Sequence, residues 1–534
     1  MNTPEADERH EPGVTAAELT QEIQSFVRRQ QRRRRLAPRA ALVGLMSGLL
    51  AVAFRRSLEL AEGLRGRLLE FSHTFAAGLL VPLVACALAA ASALWLVQRF
   101  APEAAGSGIP HLKAVLHRTR GMRWWRVLPV KFGSGLLAIG SGLALGREGP
   151  TVQMGGAIGQ MCSRWLKVRP HERQVLIAAG AGAGLAAAFN APLAGVLFVL
   201  EELQGDFAPG VLTASFVASI CADLVARFLL GQSSIFHVAD TVAPALSSLP
   251  LFLVLGVVAG LIGVAFNRCL LASLNLFAFT ARWPRGSATL AVGAAIGAVG
   301  WFLPETLGGG ARLVDHAIAG DLGLAAVAGL LALRFIMTMA SYGCGTAGGI
   351  FAPLLVIGAQ TGLLTALLGR RVFASGAPTE GFAVVGMAAL FTAVVRAPLT
   401  GIVLLLEMTA NYAFMLPLLA ACFTAYGVAN LLADQPIYEA LLERDTLRGQ
   451  DVPELEATLM VEHTIRPGAP FDGLRVGDLG LPPGCLIVTV RRGTRTEVPH
   501  RDTRLEAGDR VSAVIAPQGA AAVAMLRHGS QNSD

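Results

Sequence analysis

Two apolar segments broken by glycine and proline recur in the same order in each half of the chain, and this repeat narrows the possible folds more than any other feature. Gly146, Pro150, Gly155 and Gly159 return with identical spacing as Gly349, Pro353, Gly358 and Gly362, an offset of 203 residues. Gly180, Ala191-Pro192-Leu193, Gly195 and Glu201 return as Gly386, Ala397-Pro398-Leu399, Gly401 and Glu407, an offset of 206. Two motifs in matching order at nearly equal offsets describe two related halves, about 75–235 and 285–435. In repeat-built transporters such broken helices meet near the bilayer midplane and form the substrate site. The site is therefore expected where 146–150 and 349–353 converge, while inverted and parallel arrangements of the halves both stay open at this point.

The lipid assignment rests on composition and run length. Of 534 residues, 53% are hydrophobic and 15% charged, too apolar a balance for a water-soluble chain of this size. Apolar stretches near 41–54, 76–97, 127–145, 212–230, 250–266, 287–303, 322–340 and 398–426 are long enough to cross, or nearly cross, a hydrocarbon core roughly 30 Å thick. Sixty glycines fit helices whose backbones touch, since lipid gives no hydrophobic force to press helices together. Segments broken by Gly and Pro are tolerated in lipid only where protein or a cavity satisfies the freed backbone groups, which favours a pore or a transporter.

The first 39 residues are polar and end in Arg28, Arg29, Arg32, Arg33, Arg34, Arg35 and Arg39, just before the apolar run that starts at Ala40. This is not a secretory signal peptide, and the positive-inside tendency puts the N-terminus in the cytoplasm beside anionic headgroups. No nucleic-acid partner is expected. The seven cysteines show no CxxC spacing, so neither a disulfide framework nor a metal site is indicated. The ten histidines form no HExxH or comparable group, so the chain does not read as an enzyme, and no cofactor is expected.

Three loops have the chemistry to hold an anion: Gly106-Ser107-Gly108-Ile109-Pro110, Gly146-Arg147-Glu148-Gly149-Pro150 and Gly349-Ile350-Phe351-Ala352-Pro353. Each ends in a proline suited to a first helical turn, where the missing N–H costs nothing. The small residues before it leave backbone N–H groups free to face a cavity, and the helix dipole adds partial positive charge there. Dipoles and hydroxyls, unlike a contacting Lys or Arg, bind an anion weakly enough for release. Ser107 supplies one such hydroxyl.

Glu148 lies inside the second loop, where an ionised carboxylate in a membrane segment costs at least about 2.5 kcal/mol unless partnered. Beside an anion site its charge state and the anion's occupancy must be coupled; a simple pair with Arg147 is the plainer alternative. Glu201 has a repeat counterpart in Glu407, which suggests a shared structural role such as capping. Glu202 has none, because Met408 stands at the equivalent position, and this asymmetry makes it a candidate for proton handling. Lys131 fits either a source of positive potential along the anion path or an interfacial anchor. Tyr438, one of four tyrosines, read by itself fits a membrane-belt position.

At these residues the chain resembles the CLC family of chloride channels and chloride/proton antiporters over about 40–445, with GSGIP, GREGP, AFNAPLAG, GIFAP and RAPLTG in family order. The resemblance implies an α-helical polytopic membrane protein with an inverted repeat and broken helices, a homodimer with a separate pathway in each subunit, and chloride near the midplane. It implies that Ser107, Tyr438 and the backbone amides of Ile350 and Phe351 contact chloride, with Gly106, Gly108, Pro110, Gly146, Arg147, Gly149, Pro150 and Lys131 in support. Glu148 takes the place of the gating glutamate and Glu202 that of the inner proton acceptor found in antiporters, which favours exchange over a passive channel. Nitrate-preferring relatives carry Pro in place of the Ser107 hydroxyl, and fluoride exporters depart from both that serine and the tyrosine, so chloride is the expected ion. Lys113 stands where some bacterial relatives have an acid, and near Glu202 it would stabilise that carboxylate.

After about residue 445 the long apolar runs stop. Short β-type runs at Leu486–Val490 and Val511–Ile515, separated by Gly and charged residues, predict a small soluble α/β domain over 446–534. Leu481-Pro482-Pro483-Gly484-Cys485-Leu486-Ile487-Val488 and Leu505-Glu506-Ala507-Gly508-Asp509 resemble the C-terminal regulatory domain of TrkA-type potassium-uptake proteins. In that family such domains dimerise and some bind small-molecule ligands, which implies a regulatory role, with a dimer clamp as the structural alternative. The whole chain is then expected in the cell's inner membrane with both ends cytoplasmic.

Overall fold

A computed structural model of the chain describes residues 16–231, 236, 244, 246–279, 286–372, 379–447, 459–493, 495–516, 519 and 521–530. Its larger part is helical: α1 (Ala16–Ser72), α2 (Leu80–Phe100), α3 (Ile109–Leu116), α4 (Trp124–Gly140), α5 (Glu148–Trp165), α6 (Pro170–Phe189), α7 (Pro192–Phe198) and α8 (Pro209–Leu230) precede α9 (Leu249–Phe279). The second half follows with α10 (Ser287–Phe302), α11 (Ala311–Ala319), α12 (Leu324–Gly343), α13 (Phe351–Val372), α14 (Thr379–Val395), α15 (Pro398–Thr409), α16 (Met415–Leu431) and α17 (Ile437–Leu447).

Among the described residues seven helices are long and apolar enough to cross a membrane, and the rest are shorter or broken. The expected run at 398–426 is two helices. Ala410, with φ of 52°, ends α15 in the left-handed region, and the Asn411 side chain accepts from the Ala413 N–H at 2.9 Å to start the next turn. Residues 351–370, absent from the apolar runs, form a spanning helix most of whose surface other helices cover. Its Gln360 and Thr361 lower the local hydropathy while sitting in the protein interior. The Arg run at 28–35 falls on the first part of α1, where side chains lie outside the described residues, whereas Arg39 pairs with Glu172 at 2.6 Å.

The repeat is visible in how backbones touch. A β-carbon at Gly155 would strike the Gly180 carbonyl and one at Gly159 the Leu176 carbonyl, which locks α5 onto α6. One half later, Gly358 abuts Gly386 and Gly362 abuts Phe382, locking α13 onto α14 in the same way. Glycine is needed here because close approach of backbones, not side-chain burial, holds helices together in lipid. The expected counterparts Glu201 and Glu407 also share one role. Glu201 accepts from the N–H groups of Leu399 and Thr400 at 3.1 and 2.7 Å, capping α15, while Glu407 accepts from those of Leu193 and Ala194 at 3.0 and 2.8 Å, capping α7. Each half supplies the acid that satisfies the other's free helix start.

The tail is a four-stranded antiparallel sheet in the order β1 (Leu459–Thr464), β4 (Arg510–Ile515), β2 (Cys485–Arg492), β3 (Arg495–Glu497), with α18 (Ala521–Ser530) against it. Alternate residues Val511, Ala513 and Ile515 face a core that includes Phe471, Ile487 and Leu526. Asp509 is fully buried and accepts from Arg492 Nε and Nη2 at 2.8 and 2.7 Å and from the Glu506 N–H at 2.9 Å. The Arg492 bonds hold its carboxyl below the usual carboxylate range. A depressed value means that this stabilisation is present above the unfolded value near 4 and is lost as pH falls through the lower folded value. Asp509→Asn is expected to cost about 2 kcal/mol, a roughly 30-fold rise in the opened tail population, read as faster proteolysis within 460–527 of the full-length protein.

Candidate functional site

The loops at 146–150 and 349–353 meet, as the repeat predicts, and the loop at 106–110 joins them. Gly146 N–H donates to the Gly349 carbonyl at 2.7 Å and Gly349 N–H to the Gly146 carbonyl at 2.8 Å. Gly106 N–H donates to Thr346 O at 3.0 Å and Gly348 N–H to Gly106 O at 2.9 Å. A side chain at Gly149 would press on Ser107 and Gly349 from 3.0 to 3.1 Å, so only bare backbone lets the loops close. Gly108, with φ of 78°, turns the first loop into α3, a conformation that costs an L-residue with a Cβ. The N-terminal ends of α3, α5 and α13 are thereby gathered in one place, with Ile350 and Phe351 fully buried there.

Glu148 stands at the first residue of α5 and is 3% exposed. Its carboxylate lies toward the amide nitrogen of Ala352 in α13, yet Oε2 accepts no hydrogen bond of ordinary geometry among the described residues. Arg147 does not neutralise it closely: Nε is 3.9 Å from Oε1, and another guanidinium nitrogen donates to Ala188 O at 3.4 Å. The carboxyl group thus sits among helix starts, whose dipoles and partial charges suit an anion. A cavity of about 550 Å³, lined by Glu59, Glu62, Arg65 and Arg312 among others, reaches Arg147 and Glu148.

Ser107 is buried, and its Oγ accepts from the Ile109 N–H at 3.3 Å. Tyr438 is fully buried at the start of α17, away from any membrane belt, and its hydroxyl has no hydrogen-bond partner among the described residues. It lies within electrostatic reach of Glu148 and Glu202. Lys131 is no interfacial anchor either. Fully buried on α4, it donates to the carbonyls of Ala104 and Gly106 at 3.0 and 2.7 Å, so that its charge tethers the loop that carries Ser107.

Glu202 sits in a π-helical turn, Val199–Gln204, that continues α7. The wider turn sends its two acids to different neighbours, Glu201 to α15 and Glu202 to α3, where Lys113 Nζ donates to Glu202 Oε1 at 3.0 Å. Lys113 thus lies beside Glu202, the condition under which it stabilises that carboxylate. Glu202 is 6% exposed.

Comparison places these residues in a family. The model for the voltage gated chloride channel matches residues 86–430, well over half the chain. The chain belongs to this family. Among curated relatives of this voltage gated chloride channel family protein, the H(+)/Cl(-) exchange transporter ClcA of Vibrio parahaemolyticus is 40% identical over 432 residues, 78% of this chain and 92% of the relative. The ClcA of Yersinia pseudotuberculosis is 38% identical over 474 residues, 86% and 98% of the two chains. A solved structure of a slow cyanobacterial Cl-/H+ antiporter superposes with a TM-score of 0.74 at 37% identity, covering 78% of this chain and 99% of that one. Residues 460–527 match the TrkA-C domain. The fold is thus a CLC-type inverted repeat with broken helices and a small C-terminal sheet domain.

Two residues of this CLC protein escape a reading of the sequence. Tyr342, buried on α12, packs its hydroxyl against Gly106, beside Ser107. Its position just before the glycine-rich 343–349 stretch, in a chain with four tyrosines, was the available signal. Arg334 is fully buried, donates to Thr306 O and Gly308 O at 2.8 and 2.6 Å, and has no carboxylate partner among the described residues. Like Lys131, it is a buried basic side chain that donates to backbone carbonyls.

Proposed function

We propose that this protein moves chloride across a membrane in exchange for protons. The observation that carries the reading is the Glu148 carboxylate, buried with an unpartnered oxygen where the N-termini of α5 and α13 converge. An anionic side chain held there blocks an anion path and competes with chloride for the same dipoles. Protonation removes its charge, loosens it from those dipoles and frees the position for chloride, so proton uptake and chloride occupancy alternate. In this reading the hydroxyls of Ser107 and Tyr438 and the amides of Ile350 and Phe351 hold a second chloride, and the open hydroxyl of Tyr438 is a donor suited to it. Glu202 receives protons on the other side of the pathway. The relatives named as H(+)/Cl(-) exchange transporters support the same reading.

The protein is proposed to sit in the inner membrane as a homodimer, each subunit with its own pathway, with the tail and N-terminus cytoplasmic. The TrkA-C match supports a regulatory role for the tail. Glu202→Gln tests the proton role directly. In sealed liposomes it is expected to keep chloride flux and to lower proton flux by roughly 100-fold, the scale of a positioned acid–base group. Proton flux at the wild-type level would remove Glu202 from the pathway.

A further inference from the structure

Glu202 is nearly shut off from solvent, and the acid beside it offers no route. Both carboxylate oxygens of Glu201 are committed to the α15 cap, one of them also accepting from the Thr400 hydroxyl at 2.7 Å. A different carboxylate does connect Glu202 to the surface. Lys113 Nζ, which donates to Glu202 Oε1 at 3.0 Å, also donates to Glu439 Oε1 at 3.4 Å. Side-chain exposure rises along this line, 6% for Glu202, 11% for Lys113 and 57% for Glu439. The three groups come from the π turn, α3 and α17, and positions 113 and 439 are 326 residues apart in sequence. The other charged or titratable groups facing them are His117, exposed one turn beyond Lys113, Tyr438 on α17, and Glu201.

We propose, resting on the exchange reading above, that Glu439 is the surface carboxylate through which protons reach and leave Glu202, with Lys113 as the bridge. Nζ gives one proton to Glu202, breaking an N–H bond and forming an O–H bond there. The resulting amine takes a proton from the protonated Glu439, whose O–H bond breaks as the N–H bond re-forms. Lys113 ends as the ammonium it began as, and the net change is one proton moved from Glu439 to Glu202; release runs in reverse. Once Glu202 is neutral, the ammonium remains paired with the Glu439 carboxylate, so no lone buried charge is created. Lysine can do this because its ammonium has N–H protons to pass on, whereas an arginine keeps its charge throughout.

The test uses the full-length protein in sealed liposomes under a chloride gradient with the voltage shunted, following proton and chloride flux together. Glu439→Gln and Lys113→Arg are each expected to retain chloride flux and lower the proton-to-chloride flux ratio roughly tenfold or more, with Glu439→Asp restoring much of it. Lys113→Arg keeps the ion pairs, so a fall in its ratio reads the relay rather than the fold. A wild-type ratio in Glu439→Gln or in Lys113→Arg overturns the proposal. So does a parallel loss of both fluxes in Glu439→Gln, the mark of a merely structural contact. Absence of proton flux in the wild type itself would instead overturn the exchange reading.

Discussion

Glu148→Gln is expected to abolish proton movement while chloride continues to flow. The glutamine has nearly the shape of the protonated acid but carries neither charge nor exchangeable acid proton, so it no longer competes electrostatically for the helix starts of α5 and α13. The effect on proton flux is expected to be at least about 100-fold, since a positioned proton donor and acceptor is removed outright. The sign of the pH dependence follows from the same geometry. On the proposed reading a falling pH protonates Glu148 in the wild type and opens the anion position, so chloride flux is expected to rise toward acid. In the glutamine variant chloride flux should be flat across the same range. Paired measurements of chloride efflux and proton uptake between pH 4 and pH 8, bracketing the ordinary carboxylate and histidine values, check both statements.

Gly155→Val is expected to prevent the membrane part from assembling. A β-carbon at Gly155 already meets the Gly180 carbonyl, and the two added methyl groups have nowhere to go on a backbone-to-backbone contact. Overpacking of this kind costs about 3 kcal/mol or more, enough to empty the folded state of a marginally stable protein. The related position Gly358, which abuts Gly386, should behave alike, because the two halves use one packing device. Gly329, whose β position meets nothing within 4 Å, is the control, and valine there should change recovery little. Yield of monodisperse protein by size-exclusion chromatography separates these cases. Equal yields for Gly155→Val and Gly329→Val would contradict the packing account.

Much of the fold was legible because the repeat leaves its mark on residues that cannot vary in size. Gly155, Gly159, Gly358 and Gly362 recur at fixed spacing since each admits a carbonyl, and Glu201 and Glu407 recur since each half caps the other. The convergence of the loops at 146 and 349 follows from the same symmetry. The sequence left open whether Lys113 lies near Glu202, and the hydrogen bond between them answers that it does. What stayed hidden depends on tertiary neighbours that no local pattern announces. Arg334 is held by carbonyls 26 and 28 positions away, and nothing in an apolar helix marks whether its one cation faces lipid headgroups or the interior. Glu439 reads as an ordinary polar residue in a helix start until α17 is laid against α3. The helix at 351–370 escaped because polarity inside a bundle, at Gln360 and Thr361, looks the same in sequence as polarity toward water.

The central claim is that chloride and protons move in opposite directions through one coupled site. The most direct measurement loads wild-type protein in sealed liposomes with high internal chloride, dilutes them into low chloride at equal pH with the voltage shunted, and follows external pH. Chloride running outward should draw protons inward against a growing gradient, so the medium turns alkaline until an uncoupler restores it. Chloride efflux with no change in external pH would contradict exchange and leave a passive chloride path on the same fold.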